Sequence, residues 1–377
     1  MKKILLMTSN NINGNPRPNR LLKFMIQSNY SVDLLSYNKY EGDVKQYFFK
    51  KKLNIDLINL ILYLRLYKLN KDLLLFDNVD LETQKELINN NYDLIICENI
   101  ELIYLAFKLK SFGTKIMIDL REYFPTHFDN NIAWRLRKKE YYNYLLNKYV
   151  RKTNKILTVS DGIAKEYNTK YNLDCETYLS LPEKQDKKSE IKDSYEVIRI
   201  VHHGIASPNR NLESMIYMMD YLDENKYILD LYLVKLNNSC YDDLINLSIN
   251  RKNVNILEPV KYSDINIMLI RYDIGLYLLK DDSFNHKYAL PNKLFEFIQA
   301  GLCLAFSPIY ESVNIINKYN VGFVSDNYES ENMANKIKGV SESKLNEYKR
   351  NSRTAAEILN SGNNNKKMDA MIKELLF

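Results

Sequence analysis

A lysine and a glutamate three residues apart, Lys293 and Glu296, stand in the segment KYALPNKLFEFIQAGLCLAFSP, which runs from Lys287 to Pro308. Pro291 occupies the place of a first helical residue, Phe295, Ile298 and Gln299 recur at helical spacing, and Gly301 stops the helix before the strand LCLAF. A helix start of this kind offers unbonded amides and the positive end of its dipole. It suits a diphosphate, to which Lys293 adds a formal charge. Glu296, one turn on, is placed to accept hydrogen bonds from ribose hydroxyls. A second cation stands in HHGIASPNRNLESM, from His202 to Met215. There Gly204 permits close backbone approach, and Arg210 lies at the mouth of the next helix, where a cation is unfavourable unless it meets an anion.

Two segments of the first half also carry polar groups at strand ends. TSNNINGNPRPNRLLKFM, with Gly14, two prolines, Arg17 and Arg20, cannot extend a strand and links one to a helix. MIDLREYFPTHFD follows another apolar run and contains Asp119, Arg121 and Glu122. The adjacent Asp281 and Asp282 read as an exposed turn. No metal-binding loop, GxGxxG or phosphate-loop lysine motif occurs, so neither a resident metal nor a cofactor is expected.

The elements that must position these residues alternate. KILLMTS, SVDLLSY, YDLIICEN, KIMIDL and KILTVS are strands separated by helical patterns, beginning with a helix from about Pro18 to Ser28. Nearly continuous apolar strands joined by helices belong to parallel sheets covered on both faces, which gives a doubly wound α/β domain over residues 1–182. EKQDKKSEIKDS, residues 183–194, is charged with little apolar content and reads as a solvated linker. The rhythm restarts with VIRIVHH and continues to about residue 360, a second doubly wound domain, and residues 361–377 read as a packed terminal helix. Two such domains, facing one another, leave a central cleft with ligands at the carboxyl ends of the strands.

Composition narrows the classes. At 377 residues, two domains are expected, and 46% hydrophobic against 27% charged residues describes a globular chain. Cys97, Cys175, Cys240 and Cys303 are far apart without metal-ligand spacing, which points to a reduced, cytoplasmic protein. The N-terminus lacks the pattern of a secretory signal, and no apolar run is long enough to span a membrane. Of 53 basic and 47 acidic residues, 31 and 23 lie at or before Glu190, so the basic excess belongs to the first half and suits an anionic partner. FFKKKLNIDLINLILYLRLYKL and WRLRKKEYYNYLLNKYVRK mix basic with aliphatic and aromatic residues, as a helix lying on an anionic membrane face does. No nucleic-acid recognition module is present.

Taken together, these motifs resemble the family-4-like GT-B glycosyltransferases (group 1). The resemblance rests on LPNKLFEFIQAG, HHGIASPNRNLE, the PR-type loop NPRPNR, DLREYFP and KILTVSDGIA, in that order along nearly the whole chain. It implies a GT-B architecture, two Rossmann-like domains, with the first binding the acceptor and the second the nucleotide sugar. It assigns Glu296 to the donor ribose and Lys293 and Arg210 to the donor phosphates as the catalytic set. Gly14, Gly204 and the loop Tyr288, Ala289, Leu290, Pro291 and Asn292 become donor contacts, and Arg17, Asp119, Arg121 and Glu122 acceptor contacts. This sequence departs from the family pattern at Tyr288, where many members carry a first Glu, at Ile205, where they carry an Arg, and at Arg121, where a His is common.

The resemblance implies transfer from a UDP- or GDP-linked sugar to a cell-surface glycan or lipid-linked acceptor, with retention of configuration and without a metal. The expected protein is cytoplasmic and able to sit at the inner face of the cell membrane. Two other readings fit the departures: a degenerate GT-B protein that binds a nucleotide sugar or a partner enzyme without turnover, and a nucleotide-sugar epimerase on the same fold.

Overall fold

The computed structural model describes residues 2–9, 11–50, 55–69, 79–129, 131–236 and 238–377. The chain forms two units, one of Met1–Leu179 with Ser283–Asn285 and Asn365–Phe377, the other of Ser180–Asp282 with His286–Asn364.

In the first unit, strands β1 (Lys3–Thr8), β2 (Ser31–Ser36), β3 (Lys45–Phe48), β4 (Leu94–Glu98), β5 (Lys115–Arg121), β6 (Lys155–Thr158) and β7 (Cys175–Thr177) make a sheet in the order β3-β2-β1-β4-β5-β6-β7. Every pairing is parallel. LIICE of β4 is buried throughout, as a strand covered on both faces must be. The strand order reverses between β1 and β4, the place where a parallel sheet opens a crevice at its carboxyl edge. The first crossover helix is Pro16–Gln27, entered two residues earlier than its apolar spacing suggests because prolines are accommodated in a first turn. The helix Ser361–Leu376 supplies Met368, Met371, Ile372 and Leu376 to the core around Ile4, Leu22 and Met25. The end of the chain therefore completes the core of its beginning.

In the second unit, β8 (Ile198–Ile205), β9 (Tyr227–Val234), β10 (Val254–Leu257), β11 (Ile274–Tyr277), β12 (Cys303–Phe306) and β13 (Gly322–Val324) pair in parallel in the order β10-β9-β8-β11-β12-β13. Here the reversal lies between β8 and β11. The helix Asn292–Ala300 begins one residue after Pro291, whose extended ψ of 146° keeps it outside, and ends at Gly301 with φ 73°. The buried Gln299 amide donates to the carbonyls of Ala356 and Leu359, fixing the helix from below.

The stretch 183–194, expected as a solvated linker, is instead laid along the second unit. Ser189 donates its N–H to the Ala300 carbonyl and its hydroxyl to that of Gly301, both at 2.7 Å. Lys192 and the fully buried Lys349 pair with the buried Asp273. These charges have partners distant in sequence, which composition alone does not reveal. The four cysteines are unpaired and buried, and no helix among the described residues is long and apolar enough to cross a membrane.

Gly275 of β11 lets the helix Asn292–Ala300 lie close, since a Cβ there would stand 2.3 Å from the Phe297 ring. Gly275→Ala is therefore expected to lower stability by about 1–3 kcal/mol through overpacking. The check is the urea midpoint, and an unchanged midpoint would show that Phe297 moves aside freely.

Candidate functional site

The reversal point of the second sheet gathers a set of charged and polar side chains. The last four residues of β8 are His202, His203, Gly204 and Ile205, and β11 ends in Tyr277. Gly204 has φ 143°, a conformation that favours glycine, and a Cβ there would lie 2.9 Å from Lys293 Nζ and 3.0 Å from its Cε. The missing side chain is what admits the lysine. Lys293 Nζ stands 5.7 Å over the Tyr277 ring, and Arg210 Nη1 lies 3.5 Å from the hydroxyl of the same tyrosine. Burial, and then the nearby Arg210, push the Lys293 ammonium down to about 8, against the opposing pull of Glu296.

The surrounding groups hold these cations in place. Arg210 closes the short turn Pro208–Arg210, and Asn211 (φ 52°) follows it, donating its amide to the Leu278 carbonyl at 2.8 Å. His202 Nδ1 lies 2.9 Å from the Leu276 carbonyl, and burial followed by the Lys293 charge holds its pKa well below the ordinary value. The imidazole is thus neutral and donates through Nδ1. Glu296, 8% exposed, faces His203 with Nε2 and Oε2 3.2 Å apart.

The chain therefore brings Arg210, Lys293, Glu296 and Gly204 to one place. Tyr288, Ala289, Leu290, Pro291 and Asn292 form the half-buried approach to the helix, with Tyr288 edge-on to Tyr310 and the Ala289 carbonyl accepting from Ser312. Pro291 provides no side-chain cap and the first turn holds no acidic residue, so the positive end of the helix is not offset locally. Tyr277, His203 and Asn211 escaped the reading from sequence. A tyrosine ending an apolar strand looks like core, although the doubled histidine before Gly204 was a visible signal.

The remaining candidates lie in the first unit, and most of them are engaged within the protein or sit where no close approach is needed. Arg17 and Asp119 are 6% and 2% exposed and form an ion pair, and Arg17 Nη1 also donates to the Tyr178 carbonyl at 2.7 Å. Arg121, at φ 62°, turns its guanidinium onto the fully buried Glu98. Three residues expected to meet an acceptor are thus engaged within the protein, because their partners converge from β4, β5 and the first helix. Glu122 keeps an exposed carboxylate beside His127. Gly14 sits in an exposed turn closed by its N–H on the Asn11 carbonyl, with room for a side chain, so no close approach demands glycine there.

No protein-family model matches the chain, and no curated protein matches it. Solved structures do. A glycosyltransferase from Rickettsia africae ESF-5 superposes with a TM-score of 0.71 at 13% identity, covering 100% of this chain and 98% of that one. HepE from Anabaena, solved with UDP and glucose, gives 0.72 at 12% identity over 99% and 100%. WaaG, a glycosyltransferase involved in lipopolysaccharide biosynthesis, gives 0.67 at 12% identity over 98% and 99%. At these identities the likeness establishes the fold, which is that of the GT-B glycosyltransferases.

The burial of the Arg17–Asp119 pair sets its energetics. Asp119→Ala leaves the Arg17 guanidinium without its carboxylate and is expected to cost about 3–5 kcal/mol, whereas Glu122→Ala, at an exposed position, should stay within about 0.5 kcal/mol. Chemical denaturation of the two variants checks this, and equal costs would remove the pair as a structural anchor.

Proposed function

We propose that this chain is a glycosyltransferase that holds a nucleotide-diphosphate sugar on its second unit and transfers the sugar to a glycan or lipid-linked acceptor recognised by its first. The observation that carries the reading is the meeting of Arg210 and Lys293 over Tyr277, beside an unoffset helix start and with Glu296 one turn on. As the sugar leaves, negative charge grows on the diphosphate. Preorganised cations and amides in a poorly solvated place stabilise that charge without reorganising. Glu296 accepts from the donor ribose. In this reading Lys293 and Arg210 serve in place of a metal, and the reaction retains configuration. The fold neighbour solved with UDP and glucose supports the donor class.

A second reading, binding of a nucleotide sugar without turnover, is favoured by Tyr288 and Ile205, which stand where the resemblance calls for Glu and Arg. Product formation from a panel of UDP- and GDP-sugars separates the two.

Lys293 makes the donor reading testable through pH. The diphosphate selects the charged ammonium, so affinity is full below about 8 and falls as pH rises through that value. UDP and GDP titrated calorimetrically on either side of it should show the loss in the wild type and none in Lys293→Met. Arg210→Ala should weaken binding roughly tenfold or more at every pH. A wild-type affinity independent of pH would sink the assignment of Lys293.

The two basic-apolar segments support a seat on an anionic membrane. Residues 51–54 of the first lie outside the described residues. The helix Ile55–Tyr63 packs against the π-helical segment Arg135–Lys139. Leu60, Tyr63, Leu64, Leu69, Ile132 and Leu136 are exposed there, together with Arg65, Lys68 and Arg135. Each basic residue near anionic lipid contributes about 1 kcal/mol. Vesicles of phosphatidylcholine with phosphatidylglycerol should co-sediment the protein, those without should not, and Arg135→Glu should lower the bound fraction. Equal sedimentation with both compositions would count against the surface.

A further inference from the structure

Tyr277 closes β11 and is 1% exposed. Its phenol lies between rings from the two strands that flank β11: His202 of β8 stacks on it at 5.9 Å and 17°, and Phe306 of β12 packs at 5.3 Å and 41°. His202 is itself tied through Nδ1 to the Leu276 carbonyl. Close packing of this kind leaves the phenol one orientation. Two cations from different elements meet this one side chain at different atoms. Arg210, from the turn after β8, donates through Nη1 to the hydroxyl, and Lys293, from the first turn of the helix Asn292–Ala300, places Nζ over the ring. Each contact suits its cation, since a guanidinium is a fork of N–H donors and a compact ammonium is attracted by the quadrupole of a ring face.

The choice of tyrosine has an electrostatic consequence. A carboxylate would hold both cations more tightly and cancel one of the charges, as Asp119 does for Arg17 in the first unit. Burial pushes the Tyr277 phenol above its ordinary value, against the opposing effect of Arg210, so the side chain stays neutral. It therefore fixes two flexible cationic chains without cancelling their charge. Such chains otherwise lose rotamer entropy when they close on a ligand. A diphosphate can meet both fixed cations at once, whereas a monophosphate gains less from having the two held as a pair.

We propose that Tyr277 is a positioning residue that holds Arg210 and Lys293 as a fixed pair, the hydroxyl for the one and the ring face for the other, so that preference for a nucleoside diphosphate over a monophosphate depends on it. The proposal rests on the donor-site reading above and names what gives that site its selectivity.

The test is calorimetric binding of inorganic pyrophosphate, orthophosphate, UDP and UMP at pH 7, below the value of about 8 at which Lys293 titrates. The proteins are the wild type, Y277F, Y277L, R210A, K293M and the double variants R210A/Y277F and K293M/Y277F. The wild type should prefer UDP over UMP by roughly tenfold or more, the scale of a hydrogen bond to a charged group. Y277F keeps the ring and loses only the hydroxyl, so UDP and pyrophosphate should weaken roughly three- to tenfold while UMP and orthophosphate stay within about twofold. Y277L loses the ring as well and should bring UDP closer still to UMP. R210A/Y277F should bind UDP no more weakly than R210A alone, because the hydroxyl acts through Arg210. In K293M/Y277F the two losses should instead multiply, because the hydroxyl does not act through Lys293. If Y277F binds UDP like the wild type, or weakens R210A by the factor it weakens the wild type, Tyr277 does not position Arg210. If Y277F weakens UMP as much as UDP, its effect is on the strand end as a whole and the proposal is overturned. A wild type that binds neither pyrophosphate nor UDP overturns the donor site itself, and this proposal with it.

Discussion

Arg210 and Lys293 are like charges brought together on one tyrosine, and keeping them there costs free energy because water screens them poorly. The cost is visible in Lys293, whose ammonium is destabilised by burial and by Arg210 to the point of titrating at about 8. What offsets it is local: the face of the Tyr277 ring, the hydroxyl of that tyrosine, and the Glu296 carboxylate one helical turn away. A fold that only needed to be stable would place a neutral residue at either position. Retaining both cations beside the positive end of a helix makes sense when the site has a diphosphate to hold.

Everything else in the second unit restrains that juxtaposition. Gly275 brings the helix against β11, Gly204 opens the space for the lysine tail, and Gly301 ends the helix so that Gln299 can hydrogen-bond underneath. The segment 183–194 then straps the far end of the helix through Ser189, and Lys349 with Lys192 clamps Asp273, the residue just before β11. The side chains gathered at the carboxyl end of the sheet are polar and cationic; those just before β11, at the opposite end, are lysines paired with the buried Asp273. Removing one partner of such a pair is costly, since the other is left charged and desolvated.

How much of this the sequence disclosed depended on whether the information was local. The two sheets were legible because apolar runs and helical spacing alternate within short windows, and the proximity of Arg210, Lys293 and Glu296 could be anticipated because each sits within a few residues of a strand end or a helix start. The Arg17–Asp119 pair was not, as its members are 102 residues apart and either arginine of NPRPNR could equally have faced solvent. Glu98 reads as the polar end of an apolar strand, and only the fold turns Arg121 onto it. The charged stretch 183–194 misled for the same reason: composition records that lysines and acids are present, and their partners at Asp273, Gln299 and Glu357 lie far downstream.

The reversal points of the two sheets, equivalent in topology, carry opposite electrostatics. In the first unit two arginines meet two carboxylates, Arg17 with Asp119 and Arg121 with Glu98, so that charge is cancelled where it is buried. In the second, Lys293 lies near both Arg210 and a single carboxylate, Glu296, whose Oε2 stands 3.2 Å from Nε2 of the His203 imidazole. A cancelled, hydrogen-bonded crevice has little affinity for a diphosphate and more for rigid presentation of a neutral polyhydroxyl ligand, while an uncancelled one draws a multivalent anion. The same strand order thus presents two kinds of edge, and the division between them is written in which charges find partners inside the sheet edge and which do not.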